Sequence, residues 1–387
     1  MKEVILLYDK IVICYFWGDF LKIIPDDNAR GKLFYAFLEL VKEKPYRKIK
    51  VSELIEKAQV NRTTFYRYYG DIYEFFNRIS LSDITYLTDG MELYTVQGDK
   101  KASLDKIYVL LTERIDAFGE TIMLLTGPNG NLGFLMSFRG YLIERLEGVI
   151  NPQNDDERNL VQLYAERLYI YLLTSVFPKP DLDEYRNIDF RYTPKKSAVE
   201  NVVDMLSTGK SELSRAIMTN AAKIFLTKEP RNLNVNAITS AANVSRTEFY
   251  NFFGSTKKLI HTGLWAANFI CSQEMTELCT CGEEDFLDKL TSPNYGYLVN
   301  NDSIIELVRH HREYYQHLVN CFYLTRHMLI EKKGLDEKSL TQDDNRKLDF
   351  FVSWAVINFI AYSDDVSADE YRKKIYWAKK VLYTENS

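Results

Sequence analysis

The sequence predicts an all-α protein in which two similar units follow one another, each with a three-helix head and a helical-bundle body. The length of 387 residues exceeds what one compact helical core normally needs and suits two domains. The hydrophobic share of 46% and the charged share of 27% are typical of a chain that folds. A segment of the first half also recurs in the second half in an unbroken register, which indicates a duplicated architecture.

Residues 1–25 form an N-terminal extension to which the sequence assigns no role. The stretch from residue 4 to residue 24 is the most apolar of the chain, but charged side chains from Asp9 to Lys22 interrupt it. A small-residue cleavage site is also missing, so we expect neither a membrane span nor a signal peptide. The sequence leaves two explanations for this segment. It is either an extra helix that covers the first body or a stretch upstream of the natural start.

The cysteines are odd in number and irregularly spaced, which favours reduced thiols over a disulfide framework. They are Cys14, Cys271, Cys279, Cys281 and Cys321. We therefore expect a cytoplasmic location.

The net charge of -5 conceals two basic segments. Residues 26–79 hold 11 Lys and Arg against 8 Asp and Glu, and residues 210–262 hold 8 against 3. Their net charges are +3 and +5, so the remainder of the chain has a charge of -13. Because affinity for phosphate comes from local Lys and Arg, two basic segments in an acidic chain favour nucleic-acid binding. The alternative is the charged outer face of ordinary helices.

The internal repeat joins residues 61–70, NRTTFYRYYG, to residues 245–254, SRTEFYNFFG, at a constant offset of 184. Upstream apolar positions keep this offset, since Ala58 pairs with Ala242 and Val60 with Val244. A register that holds over so many positions indicates a duplication rather than chance similarity.

Each copy has the pattern of three helices. The first is amphipathic in both copies. Its apolar residues are Leu33, Phe37, Leu40 and Val41 in copy one, and Ile217, Ala221, Ile224 and Phe225 in copy two. The second helix is short, with Ser52 as the predicted N-cap of residues 53–58. A turn of three residues, 59–61 or 243–245, leads into the third helix, and such a pair of helices forms a helix-turn-helix unit.

In this unit the side chains of Leu54, Val60 and Phe65 point inward, and the start of the third helix points outward. The outward positions of copy one are Arg62, Thr63, Thr64, Tyr66 and Arg67. A recognition helix presents its first residues to the major groove of DNA, where Arg bridges guanine and hydroxyl groups bind phosphate. The alternative is that Tyr66 and Tyr250 pack on a neighbouring helix of an ordinary bundle.

At these residues the sequence resembles the TetR family of one-component regulators, whose recognition helix ends in an aromatic segment followed by Gly. The likeness is specific over residues 30–80 and 212–265 and elsewhere extends only to helical character. It implies heads that bind an operator in double-stranded DNA, bodies that dimerise and hold a small-molecule effector, and repression that the effector relieves. The implied division is an extension at 1–25, heads at 26–80 and 210–265, and bodies at 81–209 and 266–387.

The resemblance also assigns roles to individual side chains. In copy one it places Thr64, Tyr66 and Tyr68 at phosphates, and Arg62, Thr63 and Arg67 towards the groove. The full set of implied DNA-binding residues is Lys50, Ser52, Arg62, Thr63, Thr64, Tyr66, Arg67 and Tyr68 in head one, and Arg246, Thr247, Tyr250, Asn251 and Lys257 in head two.

Copy two departs from the family pattern at its third helix. Glu248 replaces a hydroxyl near the phosphates, which repels DNA unless the carboxylate caps the helix with Ser245 or accepts a hydrogen bond from cytosine. Asn251 replaces Arg67, and Phe252 offers no hydrogen bond. We therefore expect copy two to bind DNA less well.

Both copies lack the Lys that many family members have two residues after the motif Gly. Ile72 and Thr256 stand there, with Lys257 one residue later. This departure favours an alternative function, a TetR-like protein-interaction co-regulator that has lost DNA binding. Arg62 and Arg67 oppose that alternative.

Apolar periodicity predicts helices in both bodies. They cover residues 104–125, 134–146 and 160–177, a closing helix between Thr193 and Gly209, residues 303–330 and 348–362, and a final helix from Ser367. Because one chain contains two heads, its bodies form either an intramolecular pseudo-dimer or the interface of a homodimer.

No constellation of catalytic or cofactor-binding residues is recognised, so we expect no enzyme activity, no cofactor and no metal. Residues 127–133 are rich in Gly but lack the Gly-Lys ending of a phosphate loop, which favours an inter-helix loop. His310 and His317 share a helical face without completing a metal set. The Cys279-x-Cys281 pair is equally weak as a zinc or redox site.

Overall fold

The computed structural model describes residues 5–8, 11–14, 29–127, 129–130, 133–186, 203–205, 212–227, 234–280, 312–358 and 377. This part of the chain is predominantly helical, as the sequence predicts. The chain divides into two compact units between Val176 and Phe177. Among the described helices, none combines the length and the apolarity that crossing a bilayer requires.

Two short strands lie in the N-terminal extension. β1 (Ile5–Tyr8) pairs with β2 (Ile11–Cys14) in an antiparallel ladder that places Tyr8 opposite Ile11. The β-branched and aromatic residues of these segments favour strands. An extra helix is therefore wrong for these two segments, and the described part of the chain is not purely α-helical.

The head of unit one, termed head one, has the three predicted helices followed by a fourth. They are α1 (Ala29–Glu43), α2 (Val51–Ala58), α3 (Arg62–Tyr68) and α4 (Ile72–Thr88), with a 3-10 turn at Tyr46–Lys48. Phe37, Phe65 and Phe75 are fully buried at the centre of the head. The Phe37 and Phe75 rings meet edge to face with centroids 5.3 Å apart, an arrangement that adds to the gain from burial.

The rest of unit one, termed body one, is a bundle of three longer helices. They are α5 (Lys100–Thr126), α6 (Gly133–Ile150) and α7 (Asp155–Val176), with a 3-10 turn at Met91–Tyr94 before them. α7 packs against both other helices. Its fully buried Glu166 carboxylate accepts hydrogen bonds from Arg139 of α6, at 3.0 and 3.1 Å from Nε. Because a buried charge requires a partner, this ion pair fixes α6 against α7.

Head one and body one are joined by hydrogen bonds on two sides. In the loop after α5, the Asn129 side chain donates to the Val41 carbonyl at 2.9 Å, and its own carbonyl accepts the Tyr46 N–H at 2.7 Å. At the end of α4, the buried Arg114 guanidinium donates to the Leu87 carbonyl at 3.0 Å. The loop that holds Asn129 therefore anchors the head to the body.

Unit two contains seven labelled helices within the described residues. They are α8 (Asp183–Arg186), α9 (Glu212–Thr227), α10 (Val235–Ala242), α11 (Arg246–Phe253), α12 (Thr256–Thr280), α13 (Arg312–Lys332) and α14 (Gln342–Val356), with a 3-10 turn at Glu337–Ser339. α12 packs extensively on α13, and α13 packs on α14. This unit begins before the predicted boundary at residue 209, because Phe177 stacks on Tyr315 at 6.1 Å and Tyr185 on Trp265 at 5.4 Å.

The second head, termed head two and formed by α9 to α11 with the start of α12, has helix bounds that match head one. A shift of 184 residues converts α2 into α10 at both ends, and the first residues of α3 and α4 into those of α11 and α12. The three-residue turn predicted in each copy is confirmed. The N-cap prediction for Ser52 is wrong, because α2 already begins at Val51. The Glu53 carboxylate accepts the Lys50 N–H at 3.0 Å, which fixes the helix start at that position.

Several predicted helices fall only partly on described residues. The closing helix between Thr193 and Gly209 overlaps them at 203–205, and the final helix from Ser367 overlaps them at residue 377. Both stay predictions. The helix predicted from residue 303 is described from Arg312 onward as α13.

Candidate nucleic-acid interface

The turn before α3 determines which side chains of that helix face outward. Gln59 ends α2 in the left-handed conformation, with φ of 52°. Asn61 then caps α3, since its side chain accepts the Thr64 N–H at 2.7 Å. Because Phe65 is fully buried on the inner side, the neighbouring positions of the first turns face solvent.

Four exposed side chains of α3 form one cluster, termed the α3 surface. They are Arg62, Thr63, Tyr66 and Arg67, and they line a single open depression. The Arg62 guanidinium lies 5.6 Å from the centroid of the Tyr66 ring, which is 46% exposed. Within the described part of the chain, neither Arg62 nor Arg67 has a carboxylate partner. Two exposed guanidinium groups leave net positive charge on this surface.

Two predicted contact residues of α3 are less accessible than expected. Thr64 and Tyr68 are half-buried. The Arg30 guanidinium lies over the Tyr68 ring, and its central carbon is 4.5 Å from the ring centroid. Arg30 is a further cation that contacts α3, and sequence reasoning missed it because it lies on α1 and no repeat motif points to it.

Lys50 and Ser52 lie exposed at the start of α2, on the chain segment before the turn. Glu53 is the group that organises this start, because its carboxylate accepts the Lys50 N–H and pairs with the Lys44 ammonium at 2.8 Å. The hydrogen bond from Lys44 is the largest cause of the lowered pKa of Glu53. The cap uses the backbone of Lys50, so its side chain extends into solvent.

Head two presents a different surface on α11. Thr247, Tyr250 and Asn251 are exposed, as predicted. Arg246 is exposed as well, but its Nε donates a hydrogen bond to the Asn236 side chain at 2.6 Å. Asn236 is the counterpart of Ser52 in head one, so the sequence difference at this position explains why only one of the two helix-start arginines is held in this way within the described residues.

The capping box predicted for head two is confirmed. Ser245 Oγ accepts the Glu248 N–H at 3.2 Å, and the Glu248 carboxylate accepts the Ser245 N–H at 2.7 Å. The backbone hydrogen bond from Ser245 is the largest cause of the lowered pKa of Glu248. Of the two roles that the sequence leaves open for this carboxylate, the structure shows the capping role.

The helices that follow α3 and α11 begin with opposite charges. At α12, Ser255 accepts the Lys258 N–H at 3.1 Å, and Lys257 and Lys258 are both exposed. At α4, Asp71 accepts the Glu74 N–H at 2.7 Å, and the Glu74 carboxylate accepts a further N–H from Gly70. Lys258 was missed by sequence reasoning, although the Lys-Lys pair after Gly254 is a readable signal.

The structure also locates some residues of the metal and redox sites that the sequence disfavours. Among the described residues, no group of three or more His, Cys, Asp and Glu side chains could hold a metal ion. His310 and Cys281 lie outside the described residues, whereas His317 is buried between helices of unit two.

The chain matches no protein-family model, no curated protein and no solved structure. The resemblance at residues 61–70 and 245–254 therefore stays a prediction. The support for a function comes from the geometry of α3 and α11 and from the charges around them.

Proposed function

We propose that the chain is a DNA-binding transcriptional regulator of the TetR type, in which head one contacts double-stranded DNA through α3. The observation that carries this proposal is the α3 surface. Arg62, Thr63, Tyr66 and Arg67 are exposed together on a short helix that a three-residue turn connects to α2. A helix start with this composition fits the major groove, where a bidentate Arg contact recognises guanine.

Head two has a supporting role in the proposal. Its Asn251 and Tyr250 are exposed towards the same side of α11 as Arg67 and Tyr66 on α3. Lys257 and Lys258 add positive charge at the start of α12, which favours contact with the phosphate backbone. Head one thus reads bases, and head two mainly adds affinity that does not depend on sequence.

The regulatory part of the proposal is repression controlled by a small-molecule effector in a helical body. Hydrogen bonds from Asn129 and Arg114 support it, because they connect body one to both ends of head one. A change in body one would therefore alter the position of α1 and α4, on which α3 depends. The two bodies of one chain replace the partner of an ordinary homodimer.

Light scattering tests this pseudo-dimer. A mass near 45.3 kDa supports it, because a single chain then supplies both heads. A mass near twice that value would instead support a homodimer of the whole chain.

Duplex binding by the full chain tests the function itself. Fluorescent fragments from around its own gene and a pool of random duplexes are titrated across a salt series. We expect affinity to fall steeply with salt, and each phosphate contact that a variant loses to reduce the logarithmic salt slope by about 0.9. Arg62→Ala, Arg67→Ala and Tyr66→Ala should weaken binding more than Tyr250→Ala does.

The matched control is Arg158→Ala, which removes an exposed arginine of α7 that pairs with Asp155 at 3.3 Å. This variant has the same change in net charge as Arg62→Ala but should bind DNA like the wild type. If no duplex binds above background, or if Arg158→Ala weakens binding as much as Arg62→Ala, the proposal fails.

A second function is favoured by one feature of head two. Its Phe252 is 41% exposed and Tyr250 is 50% exposed, while Glu248 adds a negative charge to the same helix. Such a surface suits a protein partner better than it suits DNA. A co-regulator that binds another protein through head two is therefore the function to test if duplex binding is absent.

A further inference from the structure

A buried polar cluster lies between α12 and α13 of unit two. Asn268 and Cys271 of α12 face His317 and Cys321 of α13, and each of the four residues is between 0% and 5% exposed. Burial of polar groups costs free energy unless they find partners. A buried cluster that brings two thiols and an imidazole together therefore needs a chemical explanation.

The geometry of the cluster is centred on the thiol of Cys321. Its Sγ lies 3.9 Å from both ring nitrogens of His317 and 3.9 Å from Asn268 Oδ1. His317 Nδ1 is itself in hydrogen-bond contact with Asn268 Oδ1. The Cys271 side chain hydrogen-bonds to Cys321, and the Tyr185 hydroxyl reaches Asn268 from α8. One thiol thus touches a second thiol and an oriented imidazole at the same time.

The electrostatics of the cluster favour a thiolate. Burial alone would raise the pKa of the Cys321 thiol, because it disfavours the charged form. The hydrogen bond from Cys271 and the electrostatic and hydrogen-bond interactions with His317 outweigh this effect, so the pKa of Cys321 is lowered. A thiolate is the nucleophilic form of cysteine.

We propose that Cys321 and Cys271 form a redox-active dithiol that a small hydroperoxide converts into a disulfide between α12 and α13. In the first step the Cys321 sulfur attacks one oxygen of hydrogen peroxide and the O–O bond breaks. The departing hydroxide takes a proton from His317 and leaves as water, and Cys321 becomes a sulfenic acid. In the second step the Cys271 sulfur attacks Cys321, an S–S bond forms, and the S–O bond breaks.

The second hydroxide leaves as water with the proton of the Cys271 thiol. Overall, two thiols lose two electrons and one peroxide becomes two water molecules. His317 supplies the proton to the departing hydroxide, and Asn268 is a positioning residue that orients the imidazole ring. Because both sulfurs are buried, the oxidant must be small enough to enter when the helix pair opens locally. This chemistry is independent of DNA binding and goes beyond the proposed function.

The decisive experiment uses the full chain with Cys14, Cys279 and Cys281 replaced by Ser, so that two thiols are left. This background is needed because tryptic cleavage places Cys271, Cys279 and Cys281 in one peptide, residues 259–289. After reduction and desalting, the protein is treated with one equivalent of hydrogen peroxide. We expect both thiols to disappear together, and a linked pair of peptides, 259–289 with 313–326, to be found by mass spectrometry.

Three variants in this background separate the roles of Cys271, Cys321 and His317. Cys271→Ser should stop the reaction at a sulfenic acid on Cys321 that dimedone traps. Cys321→Ser should slow oxidation of Cys271 about tenfold, because the activated thiolate is gone. His317→Gln should slow disulfide formation by about the same factor while the final thiol count still reaches zero.

Two results would overturn the proposal. One is that Cys271 and Cys321 stay open to alkylation after peroxide treatment of the reduced full-length protein. The other is that Cys271 of the Cys321→Ser variant oxidises as fast as in the parent background. The first result needs no substitution in the cluster, so a folding defect of a variant cannot obscure it.

Discussion

Head one and head two share the bounds of their second helix and the first residues of the two helices that follow, but the exposed charges on these helices differ. Head one has Arg62 and Arg67 on α3, whereas the acidic Asp71 caps its next helix. Head two has a carboxylate on α11, and further exposed positive charge lies at the start of α12 on Lys257 and Lys258. The same backbone thus supports two surfaces of different charge pattern.

The difference teaches which positions the fold requires and which it leaves to function. Buried partners keep their chemistry across the repeat, since Phe65 and Phe249 are both fully buried. Exposed partners keep their chemistry at some positions, since Tyr66 corresponds to Tyr250, and change it at others, since Arg67 corresponds to Asn251. Buried side chains must fit a packed interior, while exposed ones change at little cost in stability. The surface differences between the heads are therefore where a difference in binding must lie.

The largest effect is expected from removing the buried aromatic at the centre of each head. Phe65→Ala and Phe249→Ala should each cost about 3 to 5 kcal/mol of unfolding free energy. Phe65 should cost more, because its ring lies 6.0 Å from Phe75, whereas Leu259 stands in the place of Phe75 in head two. An aromatic pair adds about 0.5 to 1.5 kcal/mol to burial. Urea unfolding of the full chain measures both losses.

The control for these variants is Tyr94→Ala, which removes an exposed aromatic of unit one and should leave the unfolding free energy nearly unchanged. A loss at Phe249 that exceeds the loss at Phe65 would contradict the idea that head one has the better packed centre.

Most of the helices and turns of the two heads can be predicted from the sequence, because apolar periodicity and the repeat both indicate which positions are buried. The three-residue turns and the capping box of Ser245 follow from residue types at fixed spacing. The start of α2 does not, since Lys50 is an unfavourable N-cap residue and the cap comes from Glu53 three residues later. The strands at β1 were missed because an apolar run of this length suits either a helix or a strand.

Contacts between distant segments are beyond such reasoning for a physical reason. A hydrogen bond such as that from Arg246 to Asn236 depends on which rotamer an exposed side chain adopts. The contact of Cys321 with Asn268 depends on how α12 packs on α13. The spacing of residues along the sequence determines neither a rotamer nor how two helices pack. Both contacts were therefore found only in the three-dimensional structure.

An intermediate effect is expected from exchanging Arg67 of head one with Asn251 of head two, which are exposed side chains at corresponding positions. Arg prefers guanine and Asn prefers adenine in the major groove, each by about 1 to 3 kcal/mol per contact. Arg67→Asn should therefore shift one base preference of the bound duplex from guanine to adenine, whereas Asn251→Arg should add at most a weak preference for guanine, because head two mainly contacts the phosphate backbone. Sequencing of duplexes selected from a random pool by each variant measures the change.

The control for the exchange is Arg67→Lys, which keeps the charge and loses the bidentate contact. It should retain most of the salt-dependent affinity and lose part of the base preference. If Asn251→Arg changes no base preference while Arg67→Asn does, head two contacts the backbone alone.

A smaller effect is expected at the helix caps that precede the two surfaces. Asn61→Ala removes the acceptor for the Thr64 N–H and should cost about 1 kcal/mol of unfolding free energy. Ser245→Ala should cost less, because the Glu248 carboxylate still accepts the backbone N–H of residue 245. Thermal unfolding of the two variants measures both losses. The control is Ser52→Ala, which changes an exposed serine outside any cap. Equal losses would mean that Glu248 adds nothing to the cap.

The smallest effect is a pH dependence at the start of the third helix, which α11 of head two has and α3 of head one lacks. The pKa of Glu248 is lowered from its ordinary value of 4.5 by the Ser245 backbone hydrogen bond. A lowered folded-state pKa means that its stabilising contribution is fully present above 4.5 and is lost as pH falls through the lower value. Thr64 occupies the corresponding position in head one and does not titrate. The unfolding free energy of the wild type relative to Glu248→Gln should therefore be larger near neutral pH than in acid. A constant difference would show that the carboxylate caps α11 no better when charged than when neutral, and that the two heads differ in their surfaces alone.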